Sequence, residues 1–236
     1  MSTAAAPPPV AARLAAVRDQ IDQAAHRARR RPGDVTLVAV SKTFGPDAVR
    51  DVLDGGVTDL GENRVQEAEE KVPAVGRPAR WHLIGHLQSN KINKALELFD
   101  LIQSVDSLDL ARSIGQRANK RGAPAPVLLQ VNVAGKESQF GFSEDELRAA
   151  AAELAGLEGL SLNGLMCIAP LVDNPEETRP TFRRLAQLGR DLEKRFRDAG
   201  HAWRHLSMGM SNDFQVAIEE GATLVRVGRA IFGERG

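Results

Sequence analysis

The chain holds 236 residues, 42% of them hydrophobic, with 31 basic and 31 acidic side chains in balance. That length suits one large domain with a sizeable core, and the absence of net charge argues against a nucleic-acid or anionic-membrane partner. A lone cysteine, Cys167, excludes an internal disulfide and fits a reducing cytoplasm. The Ala/Pro-rich start lacks the basic and apolar regions of a signal peptide, and no apolar run of roughly 18 residues exists to cross a bilayer.

Residues 1–9 read as a disordered tail ahead of a domain spanning 10–236. Val10, Leu14, Val17 and Ile21 recur at helical spacing, and Pro32-Gly33 stops that helix. Arg27, Arg29, Arg30 and Arg31 fall at its end, where cations suit the helix dipole. The β-branched run Val35 to Val40 is the first strand, and it closes on Ser41-Lys42. Gly45-Pro46-Asp47 opens a helix that breaks at Gly55-Gly56. Val57 to Leu60 reads as a short strand, followed by a helix from Arg64 to Lys71. Trp81 to Ile84 and Asp100 to Val105 are the next strands, with helices from Ser89 to Leu98 and from Ser107 to Lys120 behind them.

Pro126 to Val133 is a long apolar strand, and Ser143 with Glu146 forms a capping box for the helix after it. Leu160 to Ile168 is the sixth strand. A long helix starts near Asn174-Pro175, with Phe182, Leu185, Leu188, Leu192 and Phe196 along one face. Trp203 to Leu206 is the seventh strand, and Ser211 is expected to cap a helix from Asn212 to Glu220. Thr223 to Val227 is the eighth, before a short segment from Arg229 to Gly233. Strict βα alternation implies a parallel sheet. Eight units predict an α/β fold, a single (β/α)8 TIM-type barrel with an extra N-terminal helix. An open doubly wound sheet is the alternative.

In such a barrel function gathers where strands end. A lysine closing an apolar strand, as Lys42 does, sits where an amine is partly desolvated and can attack an aldehyde; a snorkelling surface lysine is the plainer reading. Ser207-Met-Gly-Met-Ser211 and Gly228-Arg229 follow strands seven and eight, where phosphate sites in these barrels commonly lie, and their glycines let backbone N–H groups approach an anion. Arg226 interrupts the apolar run Leu224-Val225-Val227, so its burial requires a partner. That partner is either a carboxylate such as Glu62 or an acceptor on a ligand ring. The histidines show no zinc-ligand spacing, and no metal site is expected. Cys167 has no neighbouring His or Asn arrangement and reads as a small core residue. A strand-end lysine, a phosphate cradle and an inward arginine together describe a site for a phosphorylated aldehyde, and pyridoxal 5'-phosphate (PLP) meets that description.

Val38-Ala-Val-Ser-Lys42, Gly61-Glu-Asn-Arg-Val-Gln-Glu67 and Trp81-His-Leu-Ile-Gly-His-Leu-Gln-Ser-Asn-Lys91 resemble the pyridoxal-phosphate homeostasis proteins (the YggS/PROSC family). Leu206-Ser-Met-Gly-Met-Ser-Asn-Asp213 and Val225-Arg-Val-Gly-Arg-Ala-Ile-Phe-Gly233 do so too, in matching order from about residue 35 onward. The resemblance implies a barrel like the N-terminal domain of alanine racemases, with PLP held as a Schiff base on Lys42. It implies phosphate contacts from Ser207, Ser211 and Gly228, Arg226 facing the ring nitrogen, and Asn63, His82 and Met208 as further cofactor neighbours. It also implies a role in intracellular vitamin B6 homeostasis, with PLP-dependent apo-enzymes as recipients.

Two features argue against robust catalysis, and no catalytic residue is assigned. Racemases bring a tyrosine from a second domain as the base opposite the lysine, whereas this chain contains no tyrosine and ends directly after the barrel. An arginine at the ring nitrogen opposes its protonation and weakens the electron sink. Without the second domain's dimer contact a monomer is favoured. The competing readings are a minimal PLP-dependent racemase-like enzyme and a Schiff-base aldolase acting on a sugar phosphate.

Overall fold

The computed structural model describes residues 8–136 and 139–233. Eight parallel strands close into a barrel in sequence order, β1 pairing with both β2 and β8. They are β1 (Thr36–Val40), β2 (Asp59–Glu62), β3 (Arg80–Leu83), β4 (Leu101–Val105), β5 (Ala125–Gln130), β6 (Leu160–Met166), β7 (His205–Ser207) and β8 (Leu224–Val227). The expected (β/α)8 architecture with its leading helix is therefore present. The tail expected over residues 1–9 lies, for residues 1–7, outside the described residues.

The helices form the outer layer: α1 (Val10–Arg27), α2 (Pro46–Asp54), α3 (Val65–Val75), α4 (Ile92–Leu98), α5 (Leu108–Arg121), α6 (Glu144–Gly156), α7 (Arg179–Asp198), α8 (Phe214–Glu219) and α9 (Arg229–Phe232). The main apolar core lies between strands and helices. The predicted stripe on α7 is buried throughout, from Phe182 to Phe196. The capping box of Ser143 and Glu146 is formed. Among the described residues, no helix is long and apolar enough to cross a membrane.

Several boundaries differ from the expectation for identifiable reasons. Val57 donates its N–H to Val52 O at 3.1 Å and so belongs to the turn that ends α2. β2 therefore starts at Asp59 and runs on to Glu62, which pairs in register with Leu83. β5 stops at Gln130 because Val131 bridges to Phe142 and the chain turns through Asn132 and Gly135. Trp203 adopts φ +38° and is no strand residue; its indole N–H donates to Gly189 O at 3.0 Å.

The arginine cluster lies at the end of α1 as expected, with Arg27 in its last turn, and its bonds are structural. Arg30 donates to Ile218 O and Ala222 O, at 2.9 and 2.8 Å, satisfying carbonyls at the end of α8. Arg27 pairs with Glu219 at 2.7 Å. From the same helix Arg18 reaches Gly55 O and Gly56 O, and Arg13 reaches Ile231 O and Phe232 O. Through these bonds α1 straps the ends of α2, α8 and α9 together, outside the seam where β8 meets β1.

The barrel interior is mixed. Val38, Leu101, Leu128, Met166 and Leu224 form a small separate apolar cluster. Asp59, His82, Gln103, Ser207 and Arg226 are buried with them. Charged groups there demand partners, and those partners shape the site.

Candidate functional site

At the C-terminal mouth of the barrel lies a cavity of about 640 Å³, a size suited to a small organic ligand. Lys42, Asn63, Ser211, Arg226 and Gly228 line it together. They come from the exits of β1, β2, β7 and β8, which the sequence separates by up to 186 positions and barrel closure makes neighbours. Val40, Ile84, Phe140, Ile168 and Leu171 supply apolar walls.

The turn that carries Lys42 is fastened on both sides. Ser41 is fully buried; its N–H donates to Gly61 O at 3.1 Å and its hydroxyl to Glu62 Oε1 at 2.5 Å. Thr43 takes φ +69° and donates its N–H to Glu67 Oε2 at 2.7 Å. Lys71, from α3, joins these points: its Nζ lies 2.8 Å from Ser41 O, 2.7 Å from Glu62 Oε1 and 3.2 Å from Glu67 Oε2. Burial pushes the Glu62 carboxyl above its ordinary range, although Lys71 and Ser41 hydrogen-bond to it. The sequence reading left Glu62 as a partner for Arg226. Its partners are instead Lys71 and Ser41.

Arg226 is 4% exposed. Its Nη1 donates to Ser207 Oγ at 2.5 Å and its Nη2 to Cys167 O at 2.8 Å, so its direct partners are neutral. Burial lowers its pKa from the usual arginine value. Ser207 passes its own proton to Gln103 Oε1 at 2.6 Å.

The turn after β7 is built on Gly209, at φ +91°, where a Cβ would meet Ala217 Cβ at 2.6 Å and Phe214 Cα at 2.8 Å. Met210 donates its N–H to Asp213 Oδ1 at 2.6 Å, and α8 begins only at Phe214. Ser211 therefore does not cap that helix, as the sequence had led us to expect. Asp213 stands at the N-cap position but spends its side chain on Met210 N, three residues before it. Ser211 Oγ instead accepts from Ala230 N at 3.4 Å, linking the exits of β7 and β8. At Gly228 a Cβ would sit 3.2 Å from Val40 O, a tight contact, so glycine suits the close passage of this turn against β1.

His82, Ser207 and Met208 are buried away from the cavity lining. His82 lies in the barrel interior, with Nε2 2.9 Å from Asp59 Oδ1 and Nδ1 2.8 Å from Gln103 Nε2. The loop after β6, whose Ile168, Pro170, Leu171 and Val172 close one side of the mouth, was not among the expected site segments. That loop carries no motif. Phe140, stacked on His86 with ring centroids 4.1 Å apart, was equally unmarked. Among the described residues no group of three or more His, Cys, Asp or Glu side chains is arranged to hold a metal.

An amine, a buried guanidinium, a hydroxyl and a glycine turn around one partly apolar cavity suit a phosphorylated aldehyde with a flat aromatic ring. The family model described as the alanine racemase N-terminal domain matches residues 12–236. The pyridoxal phosphate homeostasis protein of Aquifex aeolicus is 41% identical over 224 residues, covering 94% of this chain and 97% of its own. That of Escherichia coli K12 is 38% identical over 233 residues, covering 96% and 97%. Among solved structures, PipY of Synechococcus elongatus with PLP bound superposes with a TM-score of 0.83 at 37% identity, covering 95% of this chain and 100% of that one. The same protein without PLP gives 0.85.

Proposed function

The chain belongs to the family of pyridoxal phosphate homeostasis proteins built on the alanine racemase N-terminal domain, and from this premise we propose that it binds PLP at the barrel mouth and serves vitamin B6 homeostasis. The observation that carries the reading is the convergence of Lys42, Asn63, Ser211, Arg226 and Gly228 on one cavity. The donor set fits the cofactor. Lys42 is the amine that takes the aldehyde as a Schiff base. Ser211 and the Gly228 turn hold the phosphate, Arg226 faces the ring nitrogen, and Asn63 sits beside the ring. PLP, when bound, supplies a reactive carbonyl and an electron sink.

The protein acts as a carrier rather than a catalyst. This is supported by the names of its relatives, which are those of homeostasis proteins, and by the absence of any tyrosine from the chain. The whole of 10–236 is one PLP-binding unit, a cytoplasmic monomer that passes the cofactor to PLP-dependent apo-enzymes. The deciding experiment is the visible absorption of the purified protein mixed with PLP. We expect a band that persists through gel filtration in the wild type and is missing in Lys42→Ala. A Lys42→Ala variant that keeps the band overturns the assignment of the lysine. Alanine racemisation at ordinary enzymatic rates overturns the carrier reading.

A further inference from the structure

A continuous hydrogen-bonded chain runs through the barrel from its N-terminal mouth to Arg226. Arg80 Nη2 lies 3.0 Å from Asp59 Oδ2. Asp59 Oδ1 is 2.9 Å from His82 Nε2, and His82 Nδ1 is 2.8 Å from Gln103 Nε2. Gln103 Oε1 is 2.6 Å from Ser207 Oγ, which is 2.5 Å from Arg226 Nη1. From Asp59 to Arg226 five strands contribute one side chain each, β2, β3, β4, β7 and β8, and Arg80 adds a second from β3. The five residues from Asp59 to Arg226 are at most 4% exposed.

The direction of this chain is set from its arginine end. A guanidinium only donates, so Ser207 Oγ accepts from Arg226 and must give its single proton to Gln103 Oε1. The Gln103 amide then presents its NH₂ to His82 Nδ1, which accepts. His82 therefore carries its proton on Nε2 and donates it to Asp59. Each member has one role compatible with its neighbours, and each is held by the next. The hydrogen-bond partners of Arg226 are neutral; Asp213 acts on it through space, and the carboxylate bonded into the chain is that of Asp59, at its far end. The Arg80 side chain there is 62% exposed, and a second cavity of about 160 Å³, lined by Asp59, Arg80, His82 and His205, opens at the strand starts.

We propose that Asp59, His82 and Gln103 are positioning residues for Arg226, orienting its guanidinium from inside the barrel so that the opposite mouth influences the cofactor site. The proposal rests on the reading that this site takes PLP. It gives His82 a role that does not require contact with the cofactor.

The test is a double-mutant cycle joined to a readout that is independent of the cofactor. Gln103→Leu cuts the chain in its middle, and Arg226→Met removes what the chain acts on. In cofactor-free protein we expect Gln103→Leu to move the guanidinium ¹⁵N–¹H resonance of Arg226, assigned by its loss in Arg226→Met. We expect the same variant to weaken PLP binding, measured by equilibrium dialysis, about fivefold in the wild-type background and not at all beside Arg226→Met. Additive losses, or an unmoved Arg226 resonance in a folded variant, overturn the proposal. If Gln103→Leu does not fold, His82→Asn opens the gap to Gln103 with less loss of volume and carries the same measurements. A wild-type protein that takes up no PLP sinks the site assignment, whereas the resonance still decides the positioning role.

Discussion

Lys71 Nζ lies 2.8 Å from the carbonyl oxygen of Ser41, one residue before Lys42. A second lysine, on the outer layer, thus holds the strand end that presents the first. It does so while neutralising Glu62, whose side chain is fully buried. Lys71→Met leaves that carboxylate without its ammonium partner, and breaking such a pair costs about 3 kcal/mol or more. Urea unfolding of the variant at neutral pH should show a loss of this size. PLP retention should fall with it, because the Ser41–Thr43 turn loses one of its tethers. A variant as stable as the wild type contradicts this account.

What the sequence made legible was local in origin. Strand and helix alternation follows from side-chain periodicity, and Arg226 stood out because a charge interrupts an apolar strand. Gln103-Ser104 interrupts Leu101-Ile102 and Val105 in the same way, yet its partner Ser207 lies 104 positions further on, and only barrel closure joins them. Asp59 falls inside the short strand expected from Val57 to Leu60 and drew no role there for a related reason: its partners Arg80 and His82 lie 21 and 23 positions on, and only strand pairing joins them. The Ser211 cap failed because α8 starts only at Phe214, three residues past Ser211, and no side chain caps it; the Asp213 side chain instead closes the preceding turn by accepting from Met210 N. The apolar loop 168–172 has neither periodicity nor motif. Its place at the mouth comes from the β6 exit.

The acid side of the stability profile should carry the signature of Asp59. Burial opposes its charge, but hydrogen bonds from His82, Thr58 and Arg80 outweigh that and hold its pKa below the ordinary 3.8. As pH falls, the unfolded chain takes up this proton before the folded one does. The contribution of Asp59 is therefore complete above pH 3.8 and is lost as pH drops through the folded value. Asp59→Asn should be less stable than the wild type at pH 7 and lose less on acidification. Unfolding free energies compared across that window check this, and parallel profiles for the two proteins refute it.

Cys167 should be chemically silent in the folded protein. Burial pushes its thiol up to about 12, and the side chain has no exposed surface. Because the thiolate is the reactive form, a disulfide reagent at pH 7 should label the native protein at least about 100-fold more slowly than the urea-unfolded chain. Rapid labelling of the native protein, with its fold intact by circular dichroism, would mean that the segment after β6 opens on the timescale of the assay.

Arg226 separates binding from folding. Its guanidinium donates to Ser207 Oγ and to Cys167 O, and it also reaches the cavity wall. Replacing it by alanine gives up two internal hydrogen bonds, but it also removes a buried charge whose hydrogen-bond partners are neutral and on which Asp213 acts only through space. The two effects oppose each other, and the net cost to stability should stay within about 2 kcal/mol. Nothing offsets the loss on the ligand side. A charge-assisted contact contributes about 1.5–3 kcal/mol, so PLP affinity should fall roughly 10- to 100-fold. Thermal melting and equilibrium dialysis on the same Arg226→Ala preparation read the two quantities side by side. Weak binding in a protein that melts close to the wild type places the arginine on the cofactor. Unfolding, with affinity per folded molecule unchanged, makes it a structural strut between β6, β7 and β8.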